Sequence, residues 1–204
     1  MASSRREISE GGSGGWYTGA MTPVVRAPVS VDEFWHLAHR LPKAELVGGL
    51  VVELVPPGAR HGMLAAVLGH RLREHVTARV AGTVFSETGF VLTADPPTVR
   101  APDIAVVLTH RVPVPLPVRF FPGPPDLAVE VLSPEDRPAE VASKVADFLA
   151  AGAHAVWVVD PDARTVAVHT RAGVVVFSGD EVLRAAPPLP EFELSLPDLF
   201  DGVG

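Results

Sequence analysis

The chain of 204 residues has no cysteine, which excludes disulfide frameworks, zinc–thiolate centres, iron–sulfur clusters and thiol nucleophiles. Lysine is almost as scarce: Lys43 and Lys144 stand against 15 arginines. No apolar run approaches the ~18 residues that a membrane span needs, and residues 1–20 hold no apolar stretch like that of a secretory signal. The expectation is a cytoplasmic protein with no membrane partner.

Positive charge is also short. Asp and Glu number 24 against 17 Lys and Arg, a net charge of −7. Residues 21–80 carry +2, residues 81–140 carry −4 and residues 141–204 carry −5. The field of the whole molecule repels a polyanion at distance, so a nucleic-acid role must rest on local chemistry. The one basic stretch is Arg60–Arg79. With 47% hydrophobic and 20% charged residues, the chain suits one compact domain over 21–204, behind a Gly- and Ser-rich leader over 1–20 that reads as disordered.

Ser30-Val-Asp-Glu33 matches a capping box and starts a short helix to about Leu41. Gly48-Gly49, between two apolar runs in 44–55, predicts a hairpin. Residues 60–80 read as a helix with a stripe of Met63, Val67, Leu68, Leu72 and Val76. One long strand follows over 83–93, broken by Pro96-Pro97, then a strand over 103–108. Six prolines make 109–125 a stiff loop. Asp126–Leu132 is a buried strand, Pro138 to Gly152 a helix with proline in its first turn and glycine past its end, and His154–Asp160 a central strand. Thr165–Thr170 and Val174–Phe177 form a meander, and the proline-rich remainder reads as an irregular closing segment. A helix between two strands is a crossover and implies a parallel pair. The predicted architecture is α/β of the mixed α+β kind: an α-β-β-β-α-β sheet flanked by helices, with extra C-terminal strands.

Two acids sit where charge is costly. Asp103 opens one apolar strand and Glu130 interrupts another. If these strands pair, the two carboxylates share one end of the sheet, and a divalent cation relieves their repulsion. Glu45, before the Gly-Gly turn, is a candidate third acid. The alternative is structural: Asp103 caps a strand and Glu130 pairs with an arginine such as Arg100 or Arg137. Lys144 lies three residues after Val141 and four before Phe148, so it borders the apolar stripe of its helix and points toward the sheet. An ammonium there can orient water or neutralise developing charge. A lysine that snorkels to the surface is the other reading.

Arg100-Ala-Pro-Asp103, Pro125-Asp126-Leu-Ala-Val-Glu130-Val-Leu-Ser133-Pro134 and Val141-Ala-Ser-Lys144 through Gly152 resemble the Uma-type family of restriction-endonuclease-like proteins, a branch of the PD-(D/E)XK nuclease superfamily. Glu45-Leu-Val-Gly-Gly49, Arg60-His61, Glu87-Thr-Gly-Phe90, His154 through Pro161 and Leu189-Pro-Glu-Phe192 extend the likeness to roughly residues 30–200. The resemblance implies a restriction-endonuclease-like core, Mg2+ or Mn2+ held by Asp103, Glu130 and the carbonyl of Val131, and a lysine that assists water. Leu132 stands in the superfamily's usual lysine position, and Lys144 takes that part from the following helix. Gly48 and Leu50 depart from acids often seen beside Glu45. Arg60 and His61 are candidate phosphate contacts. The function so implied is a metal-dependent endonuclease acting on DNA, as a homodimer; the alternative is a catalytically inactive dimer of nuclease fold that binds nucleic acid or serves as a scaffold.

Overall fold

The computed structural model describes residues 28–203 apart from 42, 80, 185 and 186. The leader expected over 1–20 lies outside the described residues.

The capping box at Ser30 forms: its hydroxyl accepts from the Glu33 amide, and the Glu33 carboxylate accepts from the Ser30 amide at 2.8 Å. Helix α1 (Val31–Ala38) stops short of Leu41. Strands β1 (Ala44–Val47) and β2 (Leu50–Glu53) form the predicted hairpin, with Gly48 and Gly49 at φ 57° and 82°, which favours glycine. Helix α2 (Ala59–Arg79) follows. Then come β3 (Gly82–Ser86), β4 (Phe90–Ala94), β5 (Pro97–Arg100), β6 (Ile104–Leu108), a 3-10 turn (Thr109–Arg111) and β7 (Phe121–Pro122). Strand β8 (Leu127–Val131), helix α3 (Pro138–Ala151) and strand β9 (Ala155–Asp160) make the crossover unit, with β8 and β9 parallel. The meander β10 (Thr165–Thr170) and β11 (Gly173–Phe177) leads to β12 (Val182–Arg184), β13 (Glu193–Ser195) and α4 (Leu196–Leu199).

Among the described residues three sheets result. The largest runs β11-β10-β9-β8-β6-β3, and its members follow α2-β3-β6-β8-α3-β9 along the chain, the predicted α-β-β-β-α-β path. A second sheet runs β2-β1-β5-β4-β7, and β12 pairs with β13.

The structure corrects four expectations. The strand expected over 83–93 is two strands in different sheets, divided at Glu87–Gly89, where a Cβ on Gly89 would lie 2.5 Å from the Phe120 ring. Pro97 does not end the sheet but starts β5, a first-residue position that proline tolerates. The closing segment is ordered as β12, β13 and α4, the last capped by the Ser195 hydroxyl. Finally, the buried stripe of α2 is His61, Leu64, Leu68, Leu72, His75 and Val76, while Met63 is exposed. That rotation turns His61 inward and leaves Arg60 at the surface.

Strand β8 is buried along its whole length because both faces of its sheet are covered. Leu127, Val129 and Val131 pack with Leu64, Leu68 and Leu72 of α2. On the other face Ala128 packs with Val145 and Phe148 of α3. By strand alternation Glu130 shares that second face. Phe148 is fully buried and seats α3 on the sheet. Phe148→Ala is expected to cost about 3–5 kcal/mol, read as a lowered midpoint in chemical denaturation.

Candidate active site

The register of β6 on β8 pairs Ile104 with Val129. Asp103 stands just before that pair and Glu130 just after it, so both carboxylates come to one end of the sheet, Asp103 against His61 of α2 and Glu130 against Lys144 of α3. The Val131 N–H donates to Asp103, at 2.8 Å from Oδ2. Since the N–H and C=O of a strand residue point to the same side, the Val131 carbonyl is directed to the same edge.

Asp103 Oδ2 also lies 3.0 Å from Nε2 of His61. Its Oδ1 has Lys43 Nζ at 3.9 Å, and that amine pairs at 2.7 Å with Glu87. Glu130 accepts from Lys144 Nζ at 2.7 Å through Oε2, while its Oε1 is buried and accepts no hydrogen bond. Lys144 stands 3.3 Å from Glu45 Oε1, which also accepts from the Ala101 amide at 2.9 Å. Arg100 closes the chain of charges. Its Nη1 donates to Glu45 at 2.8 Å, while Nε and Nη2 donate to Asp147, one turn beyond Lys144 on α3, at 2.9 and 2.6 Å.

Lys43, Glu45, His61, Arg100, Asp103, Glu130 and Lys144 line a cleft of about 140 Å³, together with Leu132 and Val141. Seven carboxylates line it: Glu45, Glu53, Asp103, Glu130, Glu135, Asp136 and Glu140; its lysines and arginines are Lys43, Arg100 and Lys144. Positive charge is therefore in deficit. Burial raises Glu130 most; the Lys144 amine pulls it back, but the charges of Asp103 and Glu45 push it up again, to about 8. Burial also raises Asp103, yet the His61 contact, the Val131 amide and Lys144 outweigh it and hold the carboxyl below its ordinary value. Glu45 is likewise held low, burial being overcome by Lys144, Arg100 and the Ala101 amide. Burial disfavours the Lys144 ammonium, but Glu130 and Glu45 reverse this and raise it above the usual lysine value.

Of the residues singled out from the sequence, Glu45, His61, Asp103, Glu130, Val131 and Lys144 come together. Arg60 does not: its guanidinium binds Asp162 at 2.9 Å and the Pro161 carbonyl at 3.3 Å, at the turn after β9. Neither Arg100 nor Arg137 is the partner of Glu130; Lys144 is. Sequence reasoning passed over Lys43 and Asp147. The first had a usable signal, being one of two lysines; the second, a surface-type residue on a helix, had none. Among the described residues no group of three or more acidic or histidine side chains is gathered to hold a metal. The oxygens left for a cation are Asp103 Oδ1, Glu130 Oε1 and the Val131 carbonyl, and a buried carboxylate oxygen without a donor suits such a ligand.

A mixed sheet that brings two carboxylates and a helix-borne lysine to one cleft is an arrangement that fits a nuclease-like protein. The family model of Uma2, described as "Putative restriction endonuclease", matches residues 31–197, and the chain belongs to that family. Among solved structures it is similar to that of "a putative nuclease belonging to DUF820" from Anabaena variabilis ATCC 29413, with a TM-score of 0.75 and 24% identity over 87% of this chain and 100% of that one. The curated proteins contain no match. No helix among the described residues is long and apolar enough to cross a membrane.

The raised Glu130 has a measurable consequence. Its value of about 8 in the fold exceeds the ordinary 4.5, so the folded protein holds a proton that the unfolded chain gives up. The stability this proton carries is complete below about pH 4.5 and is lost as pH rises toward about 8. Thermal midpoints in a chelator, taken across that window, are expected to fall with pH in wild type and to flatten in Glu130→Gln.

Proposed function

We propose that this protein is a Mg2+- or Mn2+-dependent endonuclease that hydrolyses phosphodiester bonds of DNA. The observation that carries the reading is Glu130: a carboxylate buried beside two others, with one oxygen unpaired. Asp103, Glu130 and the Val131 carbonyl would hold the ion. When bound, the ion supplies Lewis-acid stabilisation of the phosphate and lowers the pKa of water. His61 and the Val131 amide both engage Oδ2 of Asp103, so they fix that carboxylate with Oδ1 toward the cleft. Glu45 holds Lys144 beside Glu130, and the ammonium there donates to water or to a phosphate oxygen. Arg100, bound to Glu45 and Asp147, keeps the lysine's helix in place. The cytoplasm is the place of action that goes with this reading.

Plasmid DNA nicked in Mg2+ or Mn2+, but not in a chelator, is the expected outcome. Asp103→Ala and Glu130→Ala should each lower the rate by at least ~100-fold. Nicking that persists in both variants would sink the assignment. A second reading, a nuclease-fold protein without catalysis, draws on the acidic cleft and on Leu132 in the lysine position. It calls for no cleavage by wild type, no calorimetric Mg2+ binding, and an Asp103→Ala variant that loses only stability.

Homodimerisation belongs to the same proposal, and β11 is its surface. This strand ends the six-stranded sheet, exposes Val174, Val175 and Val176, and carries no charge or proline. Such an edge is a template for strand pairing. Antiparallel pairing with a second copy about Val175 brings Arg171 of each chain toward the turn that holds Asp180 and Glu181 of the other, so charge favours the match. Light scattering should report a dimer for wild type and a monomer for Val175→Lys; an unchanged dimer in the variant would rule out this surface.

A further inference from the structure

Both lysines of the chain line one cleft, in different surroundings. Lys144 lies between two buried carboxylates, at 2.7 and 3.3 Å. Arg100 is buried and divided between Glu45 and Asp147. Lys43 is different: its side chain is 23% exposed, and its close partner Glu87 is 46% exposed. Among the lysines and arginines lining the cleft, it alone joins solvent access to a partner in solvent. A pair half open to solvent in this way is weaker than a buried one and more readily exchanged.

The second neighbour of Lys43 is Asp103 Oδ1, at 3.9 Å. That separation is too long for a hydrogen bond yet close enough for charge to act. The other oxygen of Asp103 already faces two donors. Lys43 is therefore the cation that faces the free side of this carboxylate. Glu87, at φ 51° in the turn between β3 and β4, tethers the amine at the cleft mouth.

We propose that Lys43 is a phosphate-contacting residue: its ammonium shields Asp103 in the metal-free protein and turns to a non-bridging oxygen of the DNA backbone when a divalent cation takes its place. This rests on the metal-dependent nuclease reading given above. The argument is an exchange of charges. A divalent ion at Oδ1 replaces the attraction felt by the amine with repulsion over a few ångströms. The flexible four-carbon stem and three rotatable donors let the amine leave without moving the backbone. A phosphodiester drawn to the ion brings a negative oxygen to the same mouth, where the deficit of positive charge leaves few other donors. A lysine that only staples the segment before β1 to the β3–β4 turn would affect stability and nothing else.

The test uses the full chain with Lys43→Gln, Lys43→Arg and, as a control for overall charge, Arg40→Gln, an exposed residue outside the cleft. Calorimetry with Mn2+ alone should show several-fold tighter binding in Lys43→Gln, because a competing positive charge is gone. In Mg2+, the KM for an oligonucleotide duplex should rise about tenfold in the same variant. Lys43→Arg should stay near wild type on both readouts, and Arg40→Gln should move neither. A structural pair does not produce these opposite signs. An unchanged KM or weaker Mn2+ binding in Lys43→Gln, with wild type binding and cleaving, overturns the role of Lys43. Equal shifts in Arg40→Gln reduce it to a field effect and overturn it as well. A wild-type protein that binds no Mn2+ overturns the nuclease reading and this role together.

Discussion

The architecture depends on one unfavourable placement: a carboxylate in a strand with no solvent-facing side. Glu130 occupies β8, where every residue is buried, and among the described residues its cationic partner is Lys144. A charge so placed costs several kcal/mol unless it is neutralised or paired. Its surroundings are organised around that debt of positive charge. Lys144 comes from the helix that covers the strand, and Glu45 holds Lys144 from the second sheet. Arg100 in turn holds Glu45 and ties it to Asp147 on α3. Removing any one partner leaves another buried charge exposed to the same penalty.

The same chain of ion pairs joins elements that otherwise belong to separate layers. Strands β1 and β5 supply Glu45 and Arg100, and the crossover helix supplies Lys144 and Asp147. The cleft is thus bounded by both large sheets, and its geometry follows from their docking rather than from a single loop. Hydrophobic packing sets the distance, through Val145 and Phe148 against Ala128, and the ionic chain sets the direction in which the amine points. Asp103 is fixed independently, by the inward-turned start of α2 and by the main-chain amide of Val131.

Much of this is legible in the sequence. Alternation and caps located α3, β8 and β9, and the misplaced acids at 103 and 130 drew attention to one end of the sheet. The rarity of lysine marked position 144. What escaped notice was set by tertiary contact. The break at 87–89 depends on an aromatic ring thirty residues away, so no local pattern announces it. The inner face of α2 was misjudged by one residue because Met63 and Leu64 are equally apolar, and only packing decides between them. That slip also hid which of Arg60 and His61 faces inward. Arg100, one of two arginines that the structural alternative offers to Glu130, is held by Glu45, a carboxylate of the second sheet.

Leu132 has a meaning beyond its departure from the superfamily pattern. It sits two residues past Glu130, at the end of a fully enclosed strand, half-buried and among the residues that line the cleft. With the amine arriving from the neighbouring helix, the strand is relieved of carrying a second ionised group through the interior and can end on an apolar residue. Labour is divided between the two elements: the strand presents oxygens and the helix presents nitrogen, each emerging from a surface suited to it. Tuning the position of the amine then becomes a matter of how the helix is seated, without disturbing the ladder that sets the spacing of the acids.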